Sequence, residues 1–465
     1  MESAKILDIG TRRELFVDRY LIDSMDGARL KLNEPRDEGP ALRFDRPWEG
    51  LYPCYATVFK DGDVYRMYYR GRTEVSGGGG SSAVTCYAES TDGVTWARPN
   101  LGLFEVTGTR DNNVVLANAP RHVGNFSPLL DTRPGVDPAQ RYKAFAGGPP
   151  TAFVSADGIR WAKLREEPVL SHDRPAWDSQ NLAFWSESEG CYVGYFRTHR
   201  PSPDVEGHGY RWVSRSTSED FVSWGPLLEM DAGDTPPEHL YTNGTHPYFR
   251  APHIYIALAK RFLPGKAALT PEQANTLVVD PGHGTDSSDA VFMTSRGGNR
   301  YDRTFMEAFI RPGPSARDWV ARDNTPALGV VPTGPRELSI YRVSHYGQPT
   351  AHMTRYSMRL DGFVSVNGGY AGGEMLTKPF RFEGSQLELN YATGAAGGAL
   401  VEVQDEAGRP IPGYELDECR LIFGDEIART VSWSAGPDLG ALQGMPVRLR
   451  FHLSDADLFS MRFCA

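Results

Sequence analysis

The chain is poor in lysine. Only eight of its 49 basic residues are lysine, and 59 acidic residues bring the formal net charge to −10. That balance excludes the basic surface that displaces counterions from a phosphate backbone, so nucleic acid is not an expected partner. Long apolar runs are missing as well: none approaches the roughly 18 residues of a membrane span, and no membrane partner is expected. The five cysteines (Cys54, Cys86, Cys191, Cys419 and Cys464) are odd in number and scattered, without a CxxC pair. This argues against a disulfide framework and against a zinc site. HExxH and GxSxG are absent, and VSGGGGSS at 75–82 carries no GK[ST], so it reads as a hairpin loop and not as a phosphate-binding loop. The opening MESAKILDIGTRRELF lacks the apolar stretch of a secretory signal, which makes the cytoplasm the default expectation. Helical periodicity is nearly absent too; the best candidates are short stretches near 271–276 and 314–320.

What the chain does have is turns and rings. It holds 49 Gly and 34 Pro, with 22 Phe, 21 Tyr and 9 Trp among its 465 residues. One phrase recurs: an alternating strand ending in serine, an Asp/Gly turn, then an aromatic residue. It reads VTCYAESTDGVTW (Ser90 to Trp96), TAFVSADGIRW (Ser155 to Trp161), RWVSRSTSEDFVSW (Ser216 to Trp224), DAVFMTSRGGNRY (Ser295 to Tyr301) and, loosely, HMTRYSMRLDGF (Ser357 to Phe363). A second alternating strand precedes each phrase, at 64–71, 141–148, 191–197, 253–262 and 337–347, and a short apolar strand precedes that one. Period-two alternation bounded by DG, GG and PG turns is the strand signature. Five such units predict an all-β fold, a five-bladed β-propeller over 1–365 whose post-turn aromatics pack between blades. Residues 366–465 lack the repeat but keep the alternation, which predicts an appended β-sandwich. ELFVDRYLI (14–22) is one more strand, either closing the propeller ring or joining the sandwich.

In a propeller the residues just before the innermost strands crowd one mouth of the axial channel. Those segments here supply Arg46, Trp48, Glu49, Tyr52 and Tyr55; His122 and Asn125; Trp177, Asp178, Gln180 and Asn181; Glu238, His239, Tyr241, Asn243 and His246; and Arg322, Asp323 and Asn324. Carboxylates, amides and flat rings are the groups a sugar site uses. Glycosidic cleavage uses two carboxyl groups, one protonated toward the leaving oxygen and one ionised as base or nucleophile. Glu49, Asp178 and Glu238 are therefore the expected catalytic trio. The expected binding residues are Trp48, Tyr52, Trp177, Gln180, Asn181, His239, Tyr241 and Asn243.

Five repeats with the S-x-D-G-x-x-W turn, followed by a sandwich, resemble the five-bladed glycoside hydrolases of families 32 and 43. The resemblance implies an early Asp, a middle Asp and a later Glu from successive blades. By position Asp178 in WDSQN matches the middle carboxylate and Glu238 in PEHLYTN the general acid. PWEGLYP departs from the Trp-Met-Asn-Asp-Pro phrase of family 32, so Glu49 substitutes for the early carboxylate, with Asp18 in FVDRY in reserve. These departures imply a divergent relative.

The expectation is thus a glycosidase acting, exo-fashion, on a furanoside or short oligosaccharide. Glu238 would be the acid, its pKa raised by burial near Tyr241 and the blade-one aromatics; Glu49 would be the base or nucleophile, and Asp178 would orient the sugar. Alternatives are a glycoside phosphorylase, with Arg and His clustered at the mouth (His122, Arg250 and Arg322 as members), and a non-catalytic carbohydrate-binding propeller. Arg70, Arg197, Arg250 and Arg311 lie near strand ends, where arginine forks suit an anionic sugar; a composition biased toward arginine explains them equally. No cofactor is required. Asp280, Asp286 and Asp289 form a possible Ca²⁺ loop that lacks EF-hand spacing, so a plain loop is favoured. Oligomeric state is open.

Overall fold

The computed structural model describes residues 6–72, 83–119, 123–171, 176–205, 207–278, 280–320 and 322–465. The 75–82 loop and His122 lie outside the described residues. The chain divides into two compact units, residues 35–357 and residues 1–34 with 358–465.

The larger unit is a propeller of five antiparallel sheets. Blade one runs Cys54–Asp61, Val64–Arg72, Ala83–Ser90 and Val114–Leu116. Blades two and three repeat that order from Ser127–Leu130 and Leu182–Ser186. In blade four the innermost strand is broken into His239–Thr242 and Thr245–Tyr248, both paired with Ala251–Leu263. Blade five takes its outer strand from the opposite end of the chain, where Arg36–Arg43 pairs antiparallel with His352–Arg359 and closes the ring.

The recurring turn is a hydrogen-bonded device. Ser90 Oγ accepts from Gly93 N at 2.8 Å, and Asp92 Oδ1 accepts from Val94 N and Thr95 N at 2.7 and 2.8 Å. Ser155 and Asp157 repeat this in blade two. In blade three the working serine is Ser218, not Ser216: Ser218 Oγ accepts from Phe221 N, and Asp220 Oδ1 from Val222 N and Ser223 N. Phe221 stands at the glycine position with φ +68°, a left-handed conformation that costs a side chain energy unless its surroundings compensate. In four of the five phrases the aromatic after the turn packs on the preceding blade, whereas Phe363 of the fifth belongs to the second unit. Trp161 meets Tyr68 at 6.2 Å, Trp224 meets Phe145 at 5.3 Å, Tyr301 meets Tyr195 at 5.9 Å and Trp96 meets Tyr341 at 5.6 Å. Pairs of this kind contribute about 0.5–1.5 kcal/mol each beyond area burial.

The short helix expected near 271–276 is Pro271–Leu277, started by a capping box between Thr270 and Gln273. The stretch near 314–320 holds only a single 3₁₀ turn at Ala316–Asp318.

The second unit is ten strands linked through two long ones, Gln386–Asp405 and Val447–Cys464. Their pairing is interrupted between Thr393 and Gly398, opposite Asp455 at φ +44°. Residues on both sides of that break, Leu389 and Val401, Phe451 and Met461, share one apolar core. The two long strands therefore serve one core on both sides of the break. The segment at 14–22 belongs here, with Glu14–Leu15 pairing Met461 and Ser460. The boundary expected at 365/366 thus differs from the structure: residues 1–34 pair with the C-terminal strands, and the propeller spans 35–357. Among the described residues no helix is long and apolar enough to cross a membrane.

Candidate functional site at the propeller mouth

Asp178 is the residue around which the mouth is organised. It is exposed, yet the loop that carries it is held from three other blades. Asn125 of blade two donates to the carbonyls of Trp177 (3.2 Å), Ser179 (3.0 Å) and Gly147 (3.3 Å), and accepts from Gly147 N. Ser179 Oγ donates to the Tyr241 carbonyl of blade four at 2.6 Å, and Gln180 Nε2 to Ala56 O and Thr57 Oγ1 of blade one at 2.9 Å. Gly148 is a glycine for steric reasons, since a Cβ there would lie 2.4 Å from Trp177 Cβ. The result is a carboxylate offered to solvent on a fixed backbone, as a catalytic or binding group should be.

Two phenols flank it. Tyr55 Oη lies 3.5 Å from Asp178 Oδ1 and Tyr241 Oη 3.5 Å from Oδ2. Burial, with Asp178 next in effect, holds both phenols above their ordinary range, so each is a neutral donor facing the carboxylate.

Around this core stand five cations. Arg197, Lys260 and Arg211 sit over the Tyr241 ring at 5.3, 5.3 and 5.7 Å, and Arg70 over the Tyr55 ring at 5.1 Å. Arg322 acts electrostatically with Tyr346 and Tyr241, and Arg70 donates to the Tyr346 hydroxyl at 3.2 Å. None of the five forms an ion pair among the described residues. Lys260 is buried, donates to Thr325 Oγ1 at 3.1 Å, and burial pushes its ammonium down to about 8.

The other two expected carboxylates are engaged elsewhere. Glu49 is 0% exposed, and Tyr69 Oη, Arg98 and the Arg46 N–H take both its oxygens at 2.6–3.1 Å. Glu238 lies between Arg261 (2.8 Å) and Arg303 (3.0 and 3.3 Å) and has no contact with Tyr241 or the blade-one aromatics among the described residues. Each is a buried or half-buried ion pair, which removes the free oxygen that a base or acid needs. Asp18 belongs to the second unit, where it accepts from Tyr20 N.

The expected binding residues divide in the same way. Tyr241 faces Asp178, and Tyr52 lies beside Tyr346, 5.3 Å between ring centroids. Trp48 is packed in blade one, its indole N–H on Asn113 Oδ1 at 2.7 Å, and Trp177 packs edge-on against Phe196. Both are core residues and not sugar platforms. Gln180, Asn181 and Asn243 are buried and spend their amides on backbone groups. His239 Nδ1 accepts from Arg211 N at 3.2 Å, and burial plus Arg211 keeps its imidazole low. Asp323 is fully buried, accepts from Asn324 N and His345 N, and is raised by burial to about 6. Of the strand-end arginines, Arg70 and Arg197 reach the mouth; Arg250 lies in the turn after Thr245–Tyr248, at that strand's far end. Asp280, Asp286 and Asp289 go to three different partners, Gly282 N, Gly265 N and Arg261.

Sequence reading missed Arg211, Lys260, His283 and Tyr346. Lys260 left a signal: a rare lysine inside the apolar run HIYIALAKRF.

A cavity of about 320 Å³ occupies the other end of the axis, lined by all five innermost strands, with Phe59, Leu130, Trp185 and Phe249 at their ends. It is separate from the Asp178 cluster.

No protein-family profile and no curated protein matches the chain. Its structure is similar to solved ones. A protein titled glycoside hydrolase aligns over 70% of this chain and 92% of its own, at 13% identity and TM-score 0.49. A family 43 arabinoxylan arabinofuranohydrolase from Bacillus subtilis aligns over 90% and 96%, at 12% identity and TM-score 0.41. An N-acetylgalactosamine deacetylase from F. plautii aligns over 72% and 96%, at 10% identity and TM-score 0.47.

Proposed function

We propose that this protein cleaves a glycosidic bond at the propeller mouth, with Asp178 as the carboxyl group that gives a proton to the leaving oxygen. The observation that carries this reading is the solvent-facing Asp178 carboxylate, clamped through Asn125, Ser179 and Gln180 and flanked by the phenols of Tyr55 and Tyr241. A group so placed can meet a sugar without first being reorganised, which is where electrostatic catalysis gains most. The substrate class is a short glycan, furanosidic or pyranosidic, attacked exo-fashion.

The chemistry assigned to the chain's residues is limited. As the glycosidic C–O bond breaks, the leaving oxygen takes the proton from Asp178 and a water oxygen bonds to the anomeric carbon. The proton that water loses goes to solvent, from which Asp178 is reprotonated. Tyr55 and Tyr241, held neutral, donate to the carboxylate that remains. Positive charge would then build on the sugar ring, so the surrounding cations are placed to hold negative charge on the ligand or co-substrate, not on the sugar cation itself. Glu49 and Glu238 act here as ion-pair anchors of their blades.

A screen of aryl glycosides and natural oligosaccharides, run on the wild-type chain and on Asp178→Asn, tests the reading. The expected result is cleavage by the wild type that Asp178→Asn loses. Cleavage at an equal rate by both, or by neither across the whole panel, would sink it.

A further inference from the structure

Five cations crowd one exposed carboxylate, and that imbalance asks for an anion from outside. Its sharpest expression lies on the blade-one and blade-five side of the mouth. Tyr346, a residue 2% exposed, accepts from Arg70 at its hydroxyl and is the largest charged or polar partner in the field of Arg322. Beside it are two buried polar atoms with no partner, Tyr52 Oη and His283 Nδ1, on side chains belonging to residues only 4% and 9% exposed. The Tyr52 and His283 rings pack edge-on at 6.3 Å, and both lie against Tyr346, at 5.3 and 5.8 Å. Arg322 acts on both electrostatically. Gly347 keeps the space between them open: the position of its absent Cβ is 3.5 Å from Tyr52 Cε1 and 3.6 Å from His283 Nδ1.

Burying a hydroxyl and an imidazole nitrogen without partners costs free energy, so native proteins rarely do it without reason. Here the orphaned groups are donors or can become donors, Arg322 acts on both, and Arg70 donates to the hydroxyl of the Tyr346 ring they pack against. That is the donor set for a tetrahedral or planar oxyanion. The nearest negative groups do not fill the role. Asp280 contacts only the other nitrogen of His283, at 3.6 Å, and points to solvent, while Asp178 faces Tyr55 and Tyr241.

We infer that Arg70, Arg322, Tyr52, His283 and Tyr346 form an oxyanion subsite of the mouth, taking a carboxylate or sulfate carried by the glycan, or free phosphate. The inference deepens the glycosidic reading and rests on it for the role of the anion, though not for its binding. If the oxyanion is phosphate, the step balances as follows. A phosphate oxygen bonds to the anomeric carbon as the glycosidic C–O bond breaks, and the leaving oxygen takes the Asp178 proton. The phosphate proton goes to solvent, from which the carboxylate is reprotonated. The products are a sugar phosphate and a free alcohol. If the oxyanion is a substituent of the glycan, the subsite orients the substrate and water replaces phosphate as the attacking group.

Calorimetric titration of the full chain carrying Asp178→Asn tests binding without turnover, using inorganic phosphate, sulfate, glucuronate and the uncharged methyl glucoside. At least one oxyanion is expected to bind ten-fold or more tightly than methyl glucoside, and Tyr52→Phe and Arg322→Gln are each expected to weaken it at least ten-fold. Tyr52→Phe is the decisive variant, because its hydroxyl has no protein partner and its removal should leave the melting temperature unchanged. Equal binding of charged and uncharged probes, or full oxyanion affinity in both variants, would overturn the inference. Turnover by the wild type separates the sources: sugar phosphate formed only with added phosphate marks a co-substrate, and cleavage of acidic but not neutral glycans in phosphate-free buffer marks a substituent. Failure of Asp178→Asn to lower turnover would count against the catalytic reading alone, since the titrations do not depend on it.

Discussion

Tyr55 Oη on blade one stands 3.5 Å from Asp178 Oδ1 on blade three, so the mouth is joined across the axis by side chains and not only by neighbouring sheets. Tyr55 has a left-handed backbone, φ +51°. A non-glycine residue held there is a strained one, and such strain gathers at functional positions.

Asp178→Asn should lower turnover by about 10²–10⁴-fold, the usual contribution of a general acid. Its effect on unfolding free energy should stay within about 0.5 kcal/mol, because the side chain is exposed and its two contacts are long. Steady-state kinetics and denaturant unfolding on the same preparation check both parts.

Glu49 and Glu238 should show the opposite pattern. Glu49→Ala removes the buried partner of Arg98, which keeps the exposed Asp45 at 2.9 Å, and should cost about 1–3 kcal/mol of stability. Glu238→Gln keeps its shape and should keep turnover per folded molecule within about two-fold while lowering the unfolding midpoint. A Glu238→Gln protein that is stable but inactive would return that residue to the catalytic group.

Lys260 makes a pH prediction. Burial takes its ammonium from 10.5 to about 8 in the folded chain. Between those values the unfolded state holds the proton that the folded state has lost, so stability rises with pH across that window. Below about pH 8 both states are protonated and the cost of the buried charge is fully present. Lys260→Met should abolish this rise, which a series of urea unfolding curves from pH 7 to 10.5 would reveal.

Phe221 tests whether backbone strain or packing dominates at the blade-three turn. Phe221→Gly would relieve about 1–3 kcal/mol of left-handed strain but remove a buried ring stacked 4.9 Å from Phe145, worth about 3–5 kcal/mol. The net expectation is a destabilisation of about 2 kcal/mol, read from urea midpoints.

Much of the propeller was legible because its signal is local. Alternation and the Ser-x-Asp-Gly turn act within a few residues, and the strands found at 64–72, 142–146, 191–200, 251–263 and 337–344 follow the repeat closely. The register slipped at Ser216 because Phe221 replaces the glycine that marks the turn elsewhere. Arg36–Arg43 was not legible as a blade strand: it is largely exposed, reads RDEGPALR and has no apolar alternation. The site was legible at Asp178, its tyrosines, Tyr52 and the arginines Arg70, Arg197 and Arg322, but not at Arg211, Lys260, His283 or Tyr346. Glu49 looked free in sequence because Arg98, which neutralises it, lies 49 positions away. Pairing of that kind is set by the fold and leaves no trace in spacing. The same holds for Arg303, which reaches Glu238 from 65 positions further on.

The strand that closes the ring sets the order of events during synthesis. Glu38 and Ser357, hydrogen-bonded across that last pairing, are 319 positions apart. At 5–20 residues per second the early strand waits on the order of 15–60 s for its partner to be made. During that interval four blades can form while the gap for the fifth exposes an unpaired edge, the kind of surface that invites pairing with another chain. Arg36–Arg43 carries two arginines, Asp37, Glu38 and a proline in eight residues, so the waiting segment is charged and a poor template for such pairing.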